Sequence, residues 1–197
     1  MAKNMQPILK RCRTLGIEPS VMGIDKSSNR NPKPMRKKQS EYGLQLTEKQ
    51  KVKFIYGMLE KQFRRYYQNA TNMPGIAGEN LLSLLESRLD NVVFRLGLAN
   101  TRRESRQIVN HGHVLVNGKR LDIPSYRVKV GDVITLKEKT QTSDRMKAIV
   151  EANSSRLVPK WLDMDKNTLT GKVIAMPQRD DIDFEVEEHL IVELYSK

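Results

Sequence analysis

Arg102, Arg103 and Arg106 occupy positions i, i+1 and i+4 of a segment that opens Thr-Arg-Arg-Glu, and Lys119 and Arg120 follow an Asn117-Gly118 pair. Three guanidiniums on neighbouring helical positions can reach successive phosphates, each with a planar fork of donors. A helix start at Thr101 adds backbone N–H groups and positive potential. That chemistry suits the grip of a polyanion, RNA above all. The blander alternative is a solvated basic face, and the two further cations at a nearby hairpin weigh against it.

The elements that must hold these groups are legible around them. Thr101 and Glu104 form a capping-box pattern that predicts a short helix, with Ile108 and Val109 toward the core and Gly112 at its end. Residues 113–116 form a short apolar strand, Asn117-Gly118 is a hairpin turn, and residues 120–123 return. Gly131-Asp132 turns into a strand over 133–136. A helix over 143–152 presents Met146, Ile149 and Val150 inward, and residues 161–164 and 170–176 form a further hairpin pair.

Upstream, Thr47 and Gln50 suggest another capping box. Val52, Ile55, Tyr56, Leu59, Phe63 and Tyr66 then predict one helix to about Gln68. Its other face carries Lys49, Lys53, Lys61, Arg64 and Arg65, either a phosphate track or a solvated face. Leu81, Leu82, Leu85, Leu89, Val92, Val93 and Leu96 make one continuous stripe, predicting a second helix that stops at Gly97. Val186, Leu190, Ile191 and Leu194 predict a last helix within 185–195.

The expected fold is α+β: a helical domain with an inserted mixed module of helices and short antiparallel strands. The expected boundaries are a basic N-terminal arm over 1–46, a helical domain over 47–78 plus about 180–197, and an RNA-binding α+β domain over 79–179, with its core motif at about 88–150. Residues 26–40 are basic and contain two prolines, so that piece is expected to be extended and to order on a polyanion. Arg36, Lys37 and Lys38 form a tight triplet there, a candidate nucleic-acid contact.

Composition supports a polyanionic partner and narrows the mode of binding. The formal net charge of the 197 residues is +12, which favours nucleic acid first and an anionic membrane second. Aromatic residues are only 6%, too few for base stacking to be the main mode. The charge is uneven: residues 1–46 carry +7, residues 47–111 and 112–160 carry +5 each, and residues 161–197 carry −5. An acidic end on a basic body predicts a second kind of surface, one for protein. No secretory signal or apolar run long enough to span a membrane is visible, so a cytoplasmic protein with no membrane partner is expected.

Other chemistries fail on spacing. His111 and His113 flank Gly112, but Cys12 and His189 lie far off in sequence, so no metal site is expected. The stretch from Gly112 to Arg120 imitates a phosphate loop, yet five residues separate its glycines and Arg120 stands where Ser or Thr should be. Asp180, Asp181 and Asp183 are too close in sequence to be a catalytic set. No nucleophile–base pair is evident, so no catalytic residues, no cofactor and no enzyme are expected.

Residues 79–132, together with the stretch over 42–63 and the ending Glu-His-Leu-Ile-Val-Glu-Leu-Tyr-Ser-Lys, resemble the bacterial small-subunit ribosomal protein S-four family across nearly the whole chain. The central module is also similar to one in pseudouridine synthases and tyrosyl-tRNA synthetases, where it is joined to large catalytic domains for which 197 residues leave no room. The resemblance implies a direct binder of small-subunit ribosomal RNA at a junction in its five-prime domain. Such a protein nucleates assembly of the subunit body and contributes to translational accuracy. It implies ribosomal protein S-five as a neighbour and proximity to the channel by which messenger RNA enters. Some members repress their own messenger, an alternative role; an RNA-modifying enzyme is a remoter one.

Many members of that family hold zinc with four N-terminal cysteines; here Cys12 is alone and Leu9 takes the first position of the initial pair, so the zinc-free type is expected. Carried onto this chain, the family's RNA-contacting positions are Thr101, Arg102, Arg103, Arg106, Gln107, His113, Asn117, Lys119, Arg120, Ser125 and Tyr126. Arg36, Lys37, Lys38, Lys49, Arg64 and Arg65 join them as candidates. RNA is then recognised by shape and phosphate geometry, not base by base.

Overall fold

A computed structural model describes residues 6–26, 30 and 40–196. Helix α1 (Ile8–Leu15) ends at Gly16, whose φ of 65° closes the last turn, and a single 3-10 turn follows at Pro19–Met22. Cys12, Leu15, Ile17 and Met22 are buried. Within the expected basic arm over 1–46, residues 8–22 are therefore folded into a helix and a turn with buried side chains. Their apolar positions at 8, 9, 12 and 15 are helical in spacing but few, and basic residues surround them. Arg36, Lys37 and Lys38 lie outside the described residues.

The single helix expected over 47–68 is two. Helix α2 (Glu41–Ile55) is capped by Ser40, whose Oγ accepts from the Gly43 N–H at 3.2 Å, so Thr47 lies inside the helix rather than capping it. Gly57 adopts φ 62° and the Met58 N–H returns to the Lys53 carbonyl at 2.9 Å, which ends α2. Helix α3 (Glu60–Thr71) then starts afresh. The apolar period ran straight through this break because both helices face one core: Val52, Ile55, Met58 and Phe63 are all buried.

The long apolar stripe also divides, into α4 (Ala77–Glu86) and α5 (Leu89–Arg95). The cause is a backbone partner distant in sequence. The Leu89 and Asp90 N–H groups donate to the Tyr126 and Pro124 carbonyls, and the Val128 N–H to the Ser87 carbonyl. Helix α6 (Arg102–Asn110) is capped by Thr101, whose Oγ accepts from the Glu104 N–H at 3.2 Å. The Glu104 carboxylate accepts from the Asn100 N–H at 3.0 Å, one residue before the expected return partner.

Five strands follow: β1 (Val114–Val116), β2 (Lys119–Arg120), β3 (Val133–Leu136), β4 (Leu162–Asp165) and β5 (Thr170–Val173). They form one antiparallel sheet in the order β2-β1-β3-β5-β4. Leu115 pairs with Thr135, and Ile134 with Gly171. A Cβ at Gly171 would strike the Leu96 side chain, so glycine there lets the sheet lie against the chain just past α5. Between β3 and β4 run the unforeseen short helix α7 (Glu138–Gln141) and helix α8 (Asp144–Ala152); α9 (Glu188–Ser196) closes the chain.

The chain divides into two compact units, Met1–Leu81 with Asp183–Lys197, and Leu82–Ile182. In the first, α9 packs on α2. Tyr195 stacks on Tyr67 at 4.6 Å, and buried Gln45 donates to Glu193 at 3.0 Å. In the second, Leu89, Val92, Val93, Val109, Ile134 and Trp161 belong to one buried apolar core. Burial of this kind stabilises by about 25 cal/mol per Å² of apolar surface removed from water. No helix among the described residues is long and apolar enough to cross a membrane.

Candidate nucleic-acid interface

Helix α6 turns residues 102, 105 and 109 inward, an i, i+3, i+7 stripe. Arg102 is thus on the buried face and only 6% exposed. Its Nε donates to Asn91 Oδ1 at 2.8 Å and its guanidinium lies 4.4 Å from the Phe94 ring centre. Arg156 covers the same ring at 4.5 Å and donates to the carbonyls of Phe94, Ala99 and Asn100. Arg102, expected among the RNA contacts, is thus placed as an internal brace, and the exposed stripe of α6 runs through Arg103 and Gln107.

Arg106 is intermediate. Its side chain keeps 20% exposure, and its Nη1 lies 3.5 Å from Asp90 Oδ2. Arg88 grips the same carboxylate with two bonds, at 3.0 and 2.6 Å. Behind them, fully buried Glu86 accepts from Arg95 at 3.1 and 2.8 Å and from Asn91 at 2.6 Å. Asn91 in turn accepts from Arg102, so one polar chain runs from Arg95 to Phe94. Satisfied networks of this type rigidify a core, and breaking one strands a buried charge.

The hairpin is braced in the same manner. Asn117 (φ 50°) and Gly118 (φ 76°) make the primed turn that two-residue hairpins favour. Asn117 Oδ1 accepts from the Val133 N–H at 2.9 Å and its Nδ2 donates to Asp132 at 2.8 Å. Asp132 also accepts from the Lys129 N–H at 2.8 Å and lies 3.5 Å from the Tyr126 hydroxyl. Burial, then the charge and hydrogen bond of Asp132, hold the Tyr126 phenol above its usual pKa. Asn117 and Tyr126, expected as RNA contacts, serve first to hold the loop.

Lys119 and Arg120 are exposed on β2, and Ser125 is exposed in the following loop. Arg120 folds across Gly112, where a Cβ would collide with its guanidinium; Gly112 also has φ 68°. His113 is half-buried, with Nδ1 2.9 Å from Thr140 Oγ1. Burial first, then the charges of His111, Lys137 and Arg120, push its pKa down.

On the first unit, Arg64 and Arg65 are exposed on α3. Lys49, the other candidate here, bonds Glu60 at 2.8 Å, with Lys53 at 2.9 Å on the other oxygen and the Tyr195 hydroxyl donating at 2.8 Å. Burial works upward on the Glu60 carboxyl, but these three hydrogen bonds outweigh it and carry the pKa down to about 2.

Sequence reading missed Lys137 and Lys139. The strand register would have supplied them. Val114 pairs with Leu136, so Lys137 must lie opposite His113, and its N–H donates to the His113 carbonyl at 2.9 Å. No cluster of three metal-ligating side chains exists among the described residues.

The unit thus presents Arg103, Gln107, Lys119 and Arg120 on a scaffold locked from behind. Comparison with known proteins finds two family models that match the chain. A family model described as "S4 domain" matches residues 87–134, and one described as "Ribosomal protein S4/S9 N-terminal domain" matches residues 3–86. The chain is 59% identical over 197 residues to small ribosomal subunit protein uS4 of Agathobacter rectalis, covering 100% of both. It is 60% identical over 198 residues to that of Lachnoclostridium phytofermentans, again covering 100% of both. Against the Clostridioides difficile protein it is 63% identical over 162 residues, 82% of this chain and 78% of that one. With such identity along its whole length, the chain belongs to the small ribosomal subunit protein uS4 family.

Proposed function

We propose that this protein is a structural, non-catalytic component of the small ribosomal subunit in the bacterial cytoplasm that binds the subunit's RNA directly. The observation that carries the reading is the braced pair of α6 and the β1–β2 hairpin, with Arg103 and Gln107 exposed on α6 and Lys119 and Arg120 exposed on β2, all within a matched S4 domain. A rigid cationic face recognises folded RNA through the spacing of its phosphates.

In finer terms, the RNA is the five-prime domain of the subunit RNA, bound early enough to nucleate the subunit body. Residues 79–179 carry the main grip, and Arg64, Arg65 and the Arg36–Lys38 triplet extend it. Ribosomal protein S-five is the protein neighbour, received by the acidic part of the chain, which carries −5 over residues 161–197. Messenger RNA passes nearby, which ties the protein to decoding accuracy. Family membership and charge distribution support these points.

Sedimentation tests the reading. The tagged protein should travel with small subunits through a sucrose gradient and stay bound in moderate salt. Recovery only in the free-protein fractions rejects the structural role.

A further inference from the structure

A cleft of about 490 Å³ opens in the second unit, lined from α6, α7 and α8. It falls within the roughly 300–1,000 Å³ of small-molecule pockets. Ile108, Met146 and Ile149 give it an apolar lining, and Gln107 and His113 add polar edges. With His113 Nδ1 turned to Thr140, Nε2 is the ring nitrogen left for a ligand. Lys137 and Lys139 supply cations, whereas Arg145 is already answered by Glu104 at 2.8 Å.

The lining is therefore amphiphilic in three parts: apolar surface, amide and imidazole groups, and ammonium groups. A nucleotide has the same three parts in base face, base edge and phosphate. Gln107 belongs both to this cleft and to the exposed stripe it forms with Arg103, so RNA lying on that stripe has the cleft beside it. RNA-binding proteins commonly splay single bases out of the stack and hydrogen-bond their edges. An acidic peptide would use the lysines but leave the amide and imidazole groups idle.

We propose that the cleft receives one unstacked nucleotide of the bound RNA, its base against Ile108, Met146 and Ile149 and its phosphate at Lys137 and Lys139. This rests on the RNA-binding reading above and adds a site for a single base to it. Gln107 and the His113 Nε2 atom meet the base edge. Burial and neighbouring cations disfavour the imidazolium, and the neutral ring donates or accepts at Nε2 according to its tautomer.

The test uses the full chain with carbon-13 methyl labels on isoleucine and methionine. The probes are the four nucleoside 5′-monophosphates, ribose 5-phosphate as a baseless control, a tetraglutamate peptide, and the five-prime-domain RNA. The monophosphates and the RNA should move the Ile108, Met146 and Ile149 methyl signals, and ribose 5-phosphate should not. The Lys137→Ala/Lys139→Ala variant, altered only at the cationic groups, should weaken the monophosphate response about tenfold. RNA that binds tightly while all three methyls stay still overturns the proposal and leaves the RNA-binding reading standing. Methyls that answer only to tetraglutamate also overturn it, in favour of a protein ligand. RNA that fails to bind specifically refutes the broader reading, and the monophosphate titration then decides the cleft separately.

Discussion

The Arg102 guanidinium lies 4.4 Å from the centre of the Phe94 ring, with Arg156 4.5 Å from the same centre. Two cations therefore serve one aromatic side chain inside the protein. The adjacent Arg103 is exposed on the next face of the same helix. Neighbours of one residue type thus divide into a buried brace and an exposed cation, which predicts separable effects on stability and on RNA affinity.

Arg102→Ala should destabilise the fold by about 3 kcal/mol, because it leaves the buried Asn91 side-chain oxygen without its donor and the Phe94 ring with Arg156 as its remaining cation. Arg103→Ala should change stability by less than about 0.5 kcal/mol and weaken RNA binding about tenfold. Urea unfolding and filter binding on both variants read these two effects. Equal losses of affinity without unfolding would put both arginines on the RNA.

Asn117→Ala should cost about 2 kcal/mol, combining the strain of an alanine at positive φ with the loss of two internal hydrogen bonds. Hydrogen exchange should accelerate at the Val133 amide, whose acceptor is removed. If exchange there is unchanged while RNA binding collapses, Asn117 acts as a contact rather than a brace.

Gly112→Ala should lower RNA affinity through Arg120, since its new Cβ occupies the space of that guanidinium. Stability should fall too, by about 1 kcal/mol, because φ is positive. The double variant Gly112→Ala/Arg120→Ala checks the route. It should bind RNA no worse than Arg120→Ala alone.

Glu60 predicts an acid limb. Its carboxyl is carried from the ordinary 4.5 to about 2 in the fold. A depressed carboxyl stabilises above its unfolded value and loses that contribution as pH falls through the folded one. The stability gap between the native chain and Glu60→Gln should therefore be full above about pH 4.5 and shrink toward pH 2. Denaturant midpoints across that range measure it, and a gap that widens on acidification contradicts the assignment.

What could be read in advance was what neighbours in sequence decide. Asn117-Gly118 dictates its turn whatever surrounds it, and strand β3 was bounded by its own Gly-Asp turn and apolar alternation. The break after Glu86 was hidden because the amides of Leu89 and Asp90 find their carbonyls more than thirty positions away. The arginines defeated spacing for a related reason. An i, i+4 rule says that Arg102 and Arg106 share a face but not which face is buried, and Asn91, Phe94 and Asp90 settle that from another helix. Lys49 looked like part of a basic track until α3 brought Glu60 beneath it.

The central claim is that this face selects small-subunit RNA. Its most direct test is affinity for the five-prime-domain RNA against an unrelated structured RNA of equal length, over a salt series, for the native chain and for Arg103→Ala/Lys119→Ala/Arg120→Ala. The native chain should prefer the ribosomal RNA by about a thousandfold, and the variant should lose most of that preference and about three units of salt slope. Equal binding of both RNAs by the native chain, or an unchanged preference in the variant, would contradict the account.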